Sequence, residues 1–315
     1  MTDHVIAIDV GGTKISSGIV DRYGNVEGFT KIPTDPRGQE YVIKQIADLI
    51  VNFLNVSSTK DLLGVGITIP GIVNKNIVVS APNIKGWKNL DLERTIKNIL
   101  QRDISIYLID DRVAGALGER WCGNARNKQN IIFIIIGTGV GAGLVIQGKP
   151  YSGFNGAAGS VGWMIIDRTS INYETKKGIL EEIIAGPSIV KRFKKAIREF
   201  SKSGRDLMGN SSISPDKIFQ MAKSGNEVAK QIIEDTITYI AICISNVVTI
   251  LNPEIIIVDG GVGREIMKNT LYIKKIRSIV NNFAQPYSRS VEIMPSKLGD
   301  RAYLLGAAKW VFSKN

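Results

Sequence analysis

Residues Val5–Asn25, VIAIDVGGTKISSGIVDRYGN, read as strand, glycine turn, strand and tight turn, with one carboxylate, Asp9, near the end of the first strand. The same outline returns at Ile131–Pro150, IIFIIIGTGVGAGLVIQGKP, with no acid at its corner. Glycines in a turn between strands let backbone N–H groups approach an anion, because no Cβ stands in the way. The first corner offers Gly11 and Gly12, the Thr13 hydroxyl and the Lys14 cation, and Asp9 beside it suits a magnesium ion, held directly or through water. The second corner, Gly137–Gly143, offers Thr138 and Gly139. Hairpins use glycine for geometry alone, so each corner taken singly admits that plainer reading. Two corners of one design point instead to a polyphosphate gripped from both sides, with the metal on the Asp9 side.

Working outward, the pattern predicts strands at Val5–Val10, Lys14–Asp21 and Val26–Lys31. A helix follows over Gln39–Leu54, where Val42, Ile46, Leu49, Ile50 and Phe53 recur at helical spacing. LLGVGITIPG is a buried strand stopped by Pro70 and Gly71, Leu90–Leu100 a second helix, and ISIYLID a strand reaching the acids Asp110 and Asp111. After a helix at Arg112–Trp121 the order begins again, with strands at Ile131–Ile136 and Gly143–Gln147. Helices are expected over Leu180–Arg198 and Asp216–Leu251, then the strand EIIIVDGG, a helix from Glu265, the strand SVEIMP and a closing helix from about Arg301. Such alternation predicts an α/β fold with mixed sheets covered by helices.

A chain of 315 residues with 44% hydrophobic content can build two ordinary domains. The formal charge of +11 raises a nucleic-acid partner. The dense basic runs, KKAIREFSKSGR after Phe193 and YIKKIRS from Tyr272, read instead as solvated helix faces, and a basic balance also suits a polyphosphate. His4 is the single histidine, which excludes histidine-based triads and histidine-rich zinc sites. Cys122 and Cys243 each lie in an apolar stretch, as in a reducing compartment without disulfides. A strand begins directly after MTDH, without the pattern of a secretory signal. The longest apolar stretch, ITYIAICISNVVTILNPEIIIVDGG, is broken by Asn246, Asn252 and Pro253. It reads as a buried helix and strand, so a cytoplasmic protein without a membrane partner is expected.

GLVIQGKP (Gly143–Pro150) matches G-x-x-x-x-G-K, but Pro150 stands where a P-loop needs Ser or Thr and the interior reads as a strand. GTGVGAG is not G-x-G-x-x-G and no helical pattern follows it, so a Rossmann site is not supported. VDGGVGRE (Val258–Glu265) places the paired Gly260 and Gly261 between a strand and a helix. This could present N–H groups to an adenosine or its phosphates, or be a plain connection. An acid at a strand end, such as Asp110 or Asp111, is placed to accept a proton from a hydroxyl; a helix N-cap is the alternative for one of them.

AIDVGGTK, GITIPGIV, APNIKGW, IDDRVAGALGE, IIIGTGVGAGLVIQGK, ILEEIIAGPSIV, IVDGGVG and KLGDRAYLLGAAK occur in the order of the ROK family of sugar kinases, in the actin/hexokinase/Hsp70 ATPase superfamily. The resemblance runs from Val5 to Lys309. It implies two actin-like (ribonuclease H-like) domains with mixed β-sheets flanked by helices and a cleft between them. Residues 1–111 with 301–315 would form a small domain carrying the phosphate and magnesium side and part of the sugar site. Residues 112–300 would form a large domain carrying the nucleotide and the rest of the sugar site. ATP, Mg2+ and a sugar are the implied partners, in a homodimer or tetramer. Repressors of the family carry an N-terminal DNA-binding domain, and a chain that starts at the first strand is similar to the kinase branch, with no nucleic-acid partner.

Counting back from Leu117–Glu119, Asp111 matches the family's base, and Asp110 stands where Asn is usual. Gly71, Asn83, Asp110, Asp111, Ser160 and Glu181 are the implied sugar-side residues. Gly11, Gly12, Thr13, Lys14, Thr138, Gly139, Gly260 and Gly261 are the implied nucleotide side, with Asp9 for magnesium. The chain departs from the pattern at GSVGW (Gly159–Trp163), where the family reads GEIGH and then carries a zinc-binding cysteine cluster and CLE. Ser160 replaces a sugar-contacting Glu, Trp163 replaces a His that touches sugar and zinc, and ILE (Ile179–Glu181) replaces CLE. No structural zinc is expected, with packing around Trp163 and Ile179 in its place. The resemblance implies transfer of the γ-phosphate of ATP to a hexose hydroxyl, O6 of glucose or a related hexose. The alternatives are a kinase for N-acetylmannosamine, N-acetylglucosamine or a ketodeoxy sugar acid, and a sugar sensor without turnover.

Overall fold

The computed structural model describes residues 3–56, 61–166, 177–200 and 213–315. Val5, Ile6, Ala7 and Ile8 are fully buried, as a strand covered on both faces must be, and they form the heart of β1 (His4–Val10). Two short turns lead to β2 (Lys14–Asp21) and β3 (Val26–Pro33), which pair antiparallel as hairpin strands do. Helix α1 (Gln39–Val56) then crosses back to β4 (Leu62–Ile69), which lies parallel to β1. A small antiparallel sheet of β5 (Ile72–Asn74), β6 (Ile77–Ser80) and β7 (Lys88–Asp91) follows, then α2 (Leu92–Leu100) and β8 (Ile106–Asp110), parallel to β4. The first large sheet is thus β3-β2-β1-β4-β8.

The chain continues through α3 (Asp111–Cys122), β9 (Ile131–Ile136), β10 (Val140–Ile146) and β11 (Lys149–Tyr151). Next come α4 (Glu181–Ile184), α5 (Gly186–Phe200), α6 (Pro215–Lys223) and α7 (Glu227–Leu251). It closes with β12 (Ile255–Asp259), α8 (Gly261–Met267), α9 (Thr270–Phe283), β13 (Glu292–Pro295) and α10 (Arg301–Phe312). The second large sheet, β11-β10-β9-β12-β13, repeats the strand order of the first. The α/β class and the internal repeat stand as the sequence predicts.

Two compact units emerge, one of residues 1–133, 143–158 and 296–315, the other of 134–142 and 159–295. In the first, the apolar face of α1 (Val42, Ile46, Ile50, Phe53) packs on Ile6, Ile8, Val65 and Ile67. Helices α3 and α10 cross with almost nothing between them. A Cβ built on Gly118 would lie 2.0 Å from the Ala302 carbonyl oxygen, and one on Gly306 would lie 1.8 Å from that of Ala114. This contact carries α3 into the first unit, past the division expected at residue 111. In the second unit α7 is long and apolar enough to cross a membrane by composition alone. Its most apolar window is 61% buried, and it packs on α5, α6 and α9 as a core helix.

Several boundaries move. The helix expected over Leu180–Arg198 breaks at Ala185, where the backbone is extended and the Gly186 N–H bonds the Gly137 carbonyl at 2.8 Å. The one expected over Asp216–Leu251 breaks at Gly225 (φ +87°), after which Asn226 caps α7 by accepting from the Ala229 N–H at 2.9 Å. Leu90 belongs to β7 and not to a helix, α8 starts at Gly261 and not Glu265, and β10 starts at Val140 inside the glycine run. The basic run that follows Phe193 lies partly outside the described residues.

Placing even a methyl group in the α3–α10 seam forces the two helices apart. Gly306→Ala is expected to lose about 3 kcal/mol of stability, by urea unfolding, while Ala308→Gly in the same helix loses about 1 kcal/mol.

Candidate functional site

In the first unit the parallel register of β1 and β4 puts Asp9 opposite Thr68, whose hydroxyl donates to Asp9 Oδ1 at 2.6 Å. Asp9 is 9% exposed, and burial pushes its carboxyl up to about 6, against the restraint of the Thr68 bond and the Lys14 charge. Lys14 Nζ reaches Asp300 Oδ2 at 2.5 Å, and Lys31 Nζ reaches the same oxygen at 2.9 Å. The corner between β1 and β2 closes with the Gly11 N–H on the Lys14 carbonyl at 2.9 Å. Thr34 braces it by donating its hydroxyl to the Gly11 carbonyl and its N–H to that of Thr13. Gly12 and Thr13 are left exposed. A Cβ on Gly12 would come within 2.9 Å of Asn83 Cβ, so the first glycine corner and the exposed Asn83 are neighbours. Gly71 faces protein backbone instead, since a Cβ there would lie 2.0 Å from the Ser80 carbonyl oxygen.

The twin acids divide their roles. Asp110 ends β8 and caps α3, accepting the Arg112 N–H at 2.8 Å, and its two oxygens grip the Arg112 guanidinium. Asp111 is the first residue of α3. Burial raises its carboxyl well above the usual range, the Asp110 charge raises it further, Arg112 pulls it down, and Asp9 adds a last push up. Asp9 and Asp111 therefore feel each other across one site. The Arg112 cation is committed to Asp110, and the Asp111 carboxyl stays raised.

In the second unit the Gly137 N–H bonds the Gly139 carbonyl at 2.9 Å, and Thr138 is exposed at the tip. Glu181 braces this turn by accepting the Val140 N–H on Oε2 at 2.9 Å. A Cβ on Gly137 would lie 3.8 Å from the Gly261 nitrogen, so the second and third glycine turns sit together. Gly260 (φ +85°) packs so closely that a Cβ would meet the Ile136 carbonyl at 2.4 Å, and behind it the buried Asp259 holds Arg264 at 2.6 Å. Ser160 precedes a short 3-10 turn, Val161–Trp163, and Trp163 is 62% exposed. The expected packing around Trp163 is thus replaced by backbone against backbone, because a Cβ on Gly178 would lie 2.0 Å from the Gly162 carbonyl oxygen. Among the described residues no group of three or more His, Cys, Asp or Glu is arranged to hold a metal ion.

Each unit gathers its own share of the residues singled out from sequence. Thr68, Lys31, Arg112 and Asp300 join them unforeseen. Arg112 was signalled by its place after two acids, and Asp300 by its motif KLGDRAYLLGAAK.

The model of the ROK family matches residues 5–314. A glucokinase of Thermotoga maritima is 31% identical over 96% of this chain and 96% of its own length. A xylose repressor of Caldicellulosiruptor bescii is 30% identical over 98% of this chain and 78% of its own length. A ROK hexokinase from Thermus thermophilus shares the fold with a TM-score of 0.81 at 21% identity, covering 99% of this chain and 100% of its own.

The raised Asp9 carboxyl makes stability depend on pH. A proton bound more tightly in the folded chain stabilises it fully below 3.8, and that contribution is lost as pH rises through about 6. Asp9→Asn keeps an acceptor for Thr68 and removes the buried charge. The variant is expected to be more stable than the parent at pH 7.5, by up to about 3 kcal/mol. The gap should narrow to about 1 kcal/mol by pH 4.5 in urea unfolding and vanish only below 3.8, and an equal gap at pH 7.5 and 4.5 would count against a buried anion.

Proposed function

The chain belongs to the ROK family, and on that premise we propose that it is an ATP-dependent kinase transferring the γ-phosphate to a hexose hydroxyl, O6 of glucose or a related hexose, with Asp111 as the base. The observation that carries the reading is the division of labour at the β8–α3 junction, which neutralises Asp110 with Arg112 and leaves Asp111 basic and half-buried. A raised carboxylate at the head of a helix takes a proton more readily than an ordinary aspartate. In this mechanism Asp111 accepts the hydroxyl proton as the sugar oxygen attacks the γ-phosphorus in line. The loose transition state asks chiefly for positioning and charge stabilisation.

On the phosphate side we assign the Gly11–Thr13 backbone and the Lys14 ammonium, with Asp300 and Lys31 fixing where that ammonium sits. Thr138, Gly139, Gly260 and Gly261 are the nucleotide-side assignments. Asp9 offers a hard oxygen donor, and a single carboxylate suits a magnesium ion that keeps its waters and rides on the phosphates. When bound, Mg2+ supplies charge neutralisation for the transferred group. The buried, raised Asp9 fits that role, since a cation would favour its anion.

For the sugar we assign Asn83, Asp111, and the Glu181 oxygen that does not hold Val140, with Ser160 at the position that departs from the family. Asp110 and Gly71 serve the scaffold in this reading, one clamping Arg112 and the other packed on Ser80. A second reading, sugar binding without phosphoryl transfer, is favoured by the likeness to a xylose repressor.

ADP release over a panel of hexoses, N-acetylhexosamines and sugar acids separates the readings, and no turnover with any of them would leave the sensor. Asp111→Asn is expected to lower kcat about 10²–10⁴-fold with little change in the sugar KM; undiminished turnover would end the base assignment. The acid limb of kcat/KM should lie above the ordinary aspartate range. Asp110→Asn should move that limb to lower pH, by removing a like charge and freeing Arg112.

A further inference from the structure

A cavity of about 380 Å³ opens in the first unit, where the C-terminal turns of α3 and α10 meet the β10–β11 hairpin. Arg120, Arg126 and Lys309 converge on it together with Trp121 and Trp310, and none of the residues lining it is acidic. None of them belongs to the site described above. Asp21, whose charge is felt at the neighbouring Cys122, spends its carboxylate on its own turn, accepting from Tyr23 and Asn25.

Cations in the last turn of a helix answer its dipole without any ligand, and that accounts for Arg120 and Lys309 singly. It does not account for Arg126, which lies beyond the end of α3 and is exposed. Nor does it account for how Arg120 is seated. Its Nε donates to the Lys128 carbonyl at 2.9 Å and its Nη2 to Gln129 Oε1 at 3.3 Å. A Cβ on Gly148 (φ +73°) would lie 2.9 Å from that Nη2, so a glycine in the hairpin turn makes room for the guanidinium. Gly148 and Pro150 come from GLVIQGKP, the motif that resembles a P-loop without being one. Lys309 Nζ lies 5.3 Å from the centre of the Trp121 ring, which holds the ammonium beside an aromatic wall.

We propose that this cavity is a second binding site, for a small phosphate monoester carrying a flat or apolar face. Two arginines and a lysine without an acid are the donors a phosphate needs. The two indoles supply walls for the body of the molecule, and the volume falls within the range of small-molecule sites. The proposal stands on the cavity alone and is independent of the kinase reading.

Phenyl phosphate is the probe for isothermal titration, with inorganic phosphate for charge alone and phenol for the ring alone. AMP and a hexose 6-phosphate separate a nucleotide source from a sugar source. Phenyl phosphate is expected to bind saturably, more tightly than either fragment. Arg126→Glu with Lys309→Glu should weaken it at least about 10-fold while ADP release is unchanged. Gly148→Ala, which crowds Arg120 without altering charge, should weaken it to a lesser degree. Circular dichroism checks that each variant is folded. Equal affinity in the parent and the charge-reversed variant would overturn the proposal, as would no saturable binding of phenyl phosphate. A duplex oligonucleotide that loses affinity in that variant while phenyl phosphate does not would overturn it as well.

Discussion

Helices α3 and α10 touch backbone to backbone, and the first unit's candidate site hangs from that contact. Asp111 stands at one end of α3. Near the other end Glu119, fully buried, accepts the Asn124 N–H at 2.7 Å, the Ser296 hydroxyl at 2.7 Å and the Leu298 N–H at 3.0 Å. A buried carboxylate without a cation is tolerable when several donors saturate it. Those bonds pin residues 296–298 just ahead of Asp300, and Asp300 in turn fixes Lys14. One helix pair therefore sets both the proposed base and the cation at the first glycine corner. A shift in the seam would move the two together, which is a reason for a contact that no side chain can cushion.

The same region is under electrostatic strain. Asp9 and Asp111 are both raised by burial and repel each other, and the nearest guanidinium is committed to Asp110. A fold selected for stability alone would place neutral groups here. Carboxylates held above their ordinary range have a use where a cation or a proton is to be taken up, and such perturbed groups concentrate at functional sites. The scaffold offsets the cost through the apolar layers on either side of the sheet, the face of α1 and the buried run of α10.

Both glycine corners were legible in the sequence because strand period and glycine placement are local signals, and so was the repeated succession of strands and helices along the chain. What was not legible depends on partners far along the chain. Lys14 and Asp300 are 286 residues apart, and no spacing rule joins them. The seam's glycines look like ordinary helix interiors until Ala114 and Ala302 are placed against them. Glu181 reads as a ligand in its motif, yet one of its oxygens braces the Gly137–Gly139 turn. The breaks at Ala185 and Gly225 do carry local signals, Gly186–Pro187 and Ser224–Asn226, which the expected long helices ran across. Trp163 and Ile179 were expected to pack where the family holds zinc, but Gly162 and Gly178 meet backbone to backbone there and Trp163 is exposed.

Asp110 in place of the usual Asn also bears on the acceptor. Asp9, Asp110 and Asp111 put three carboxylates into one electrostatic neighbourhood, and Arg112 neutralises one of them. Lys14 and Lys31 are shared on Asp300. A sugar acid would bring a further negative charge toward this group, where Arg112 is held by Asp110 and Lys14 is assigned to the phosphate, and like charges in a low-dielectric site repel strongly. A neutral hexose meets no such penalty and presents hydroxyls that an unneutralised carboxylate can accept from. The charge pattern of the first unit thus favours the neutral hexose of our proposal over the ketodeoxy acid, although the chain as a whole is basic.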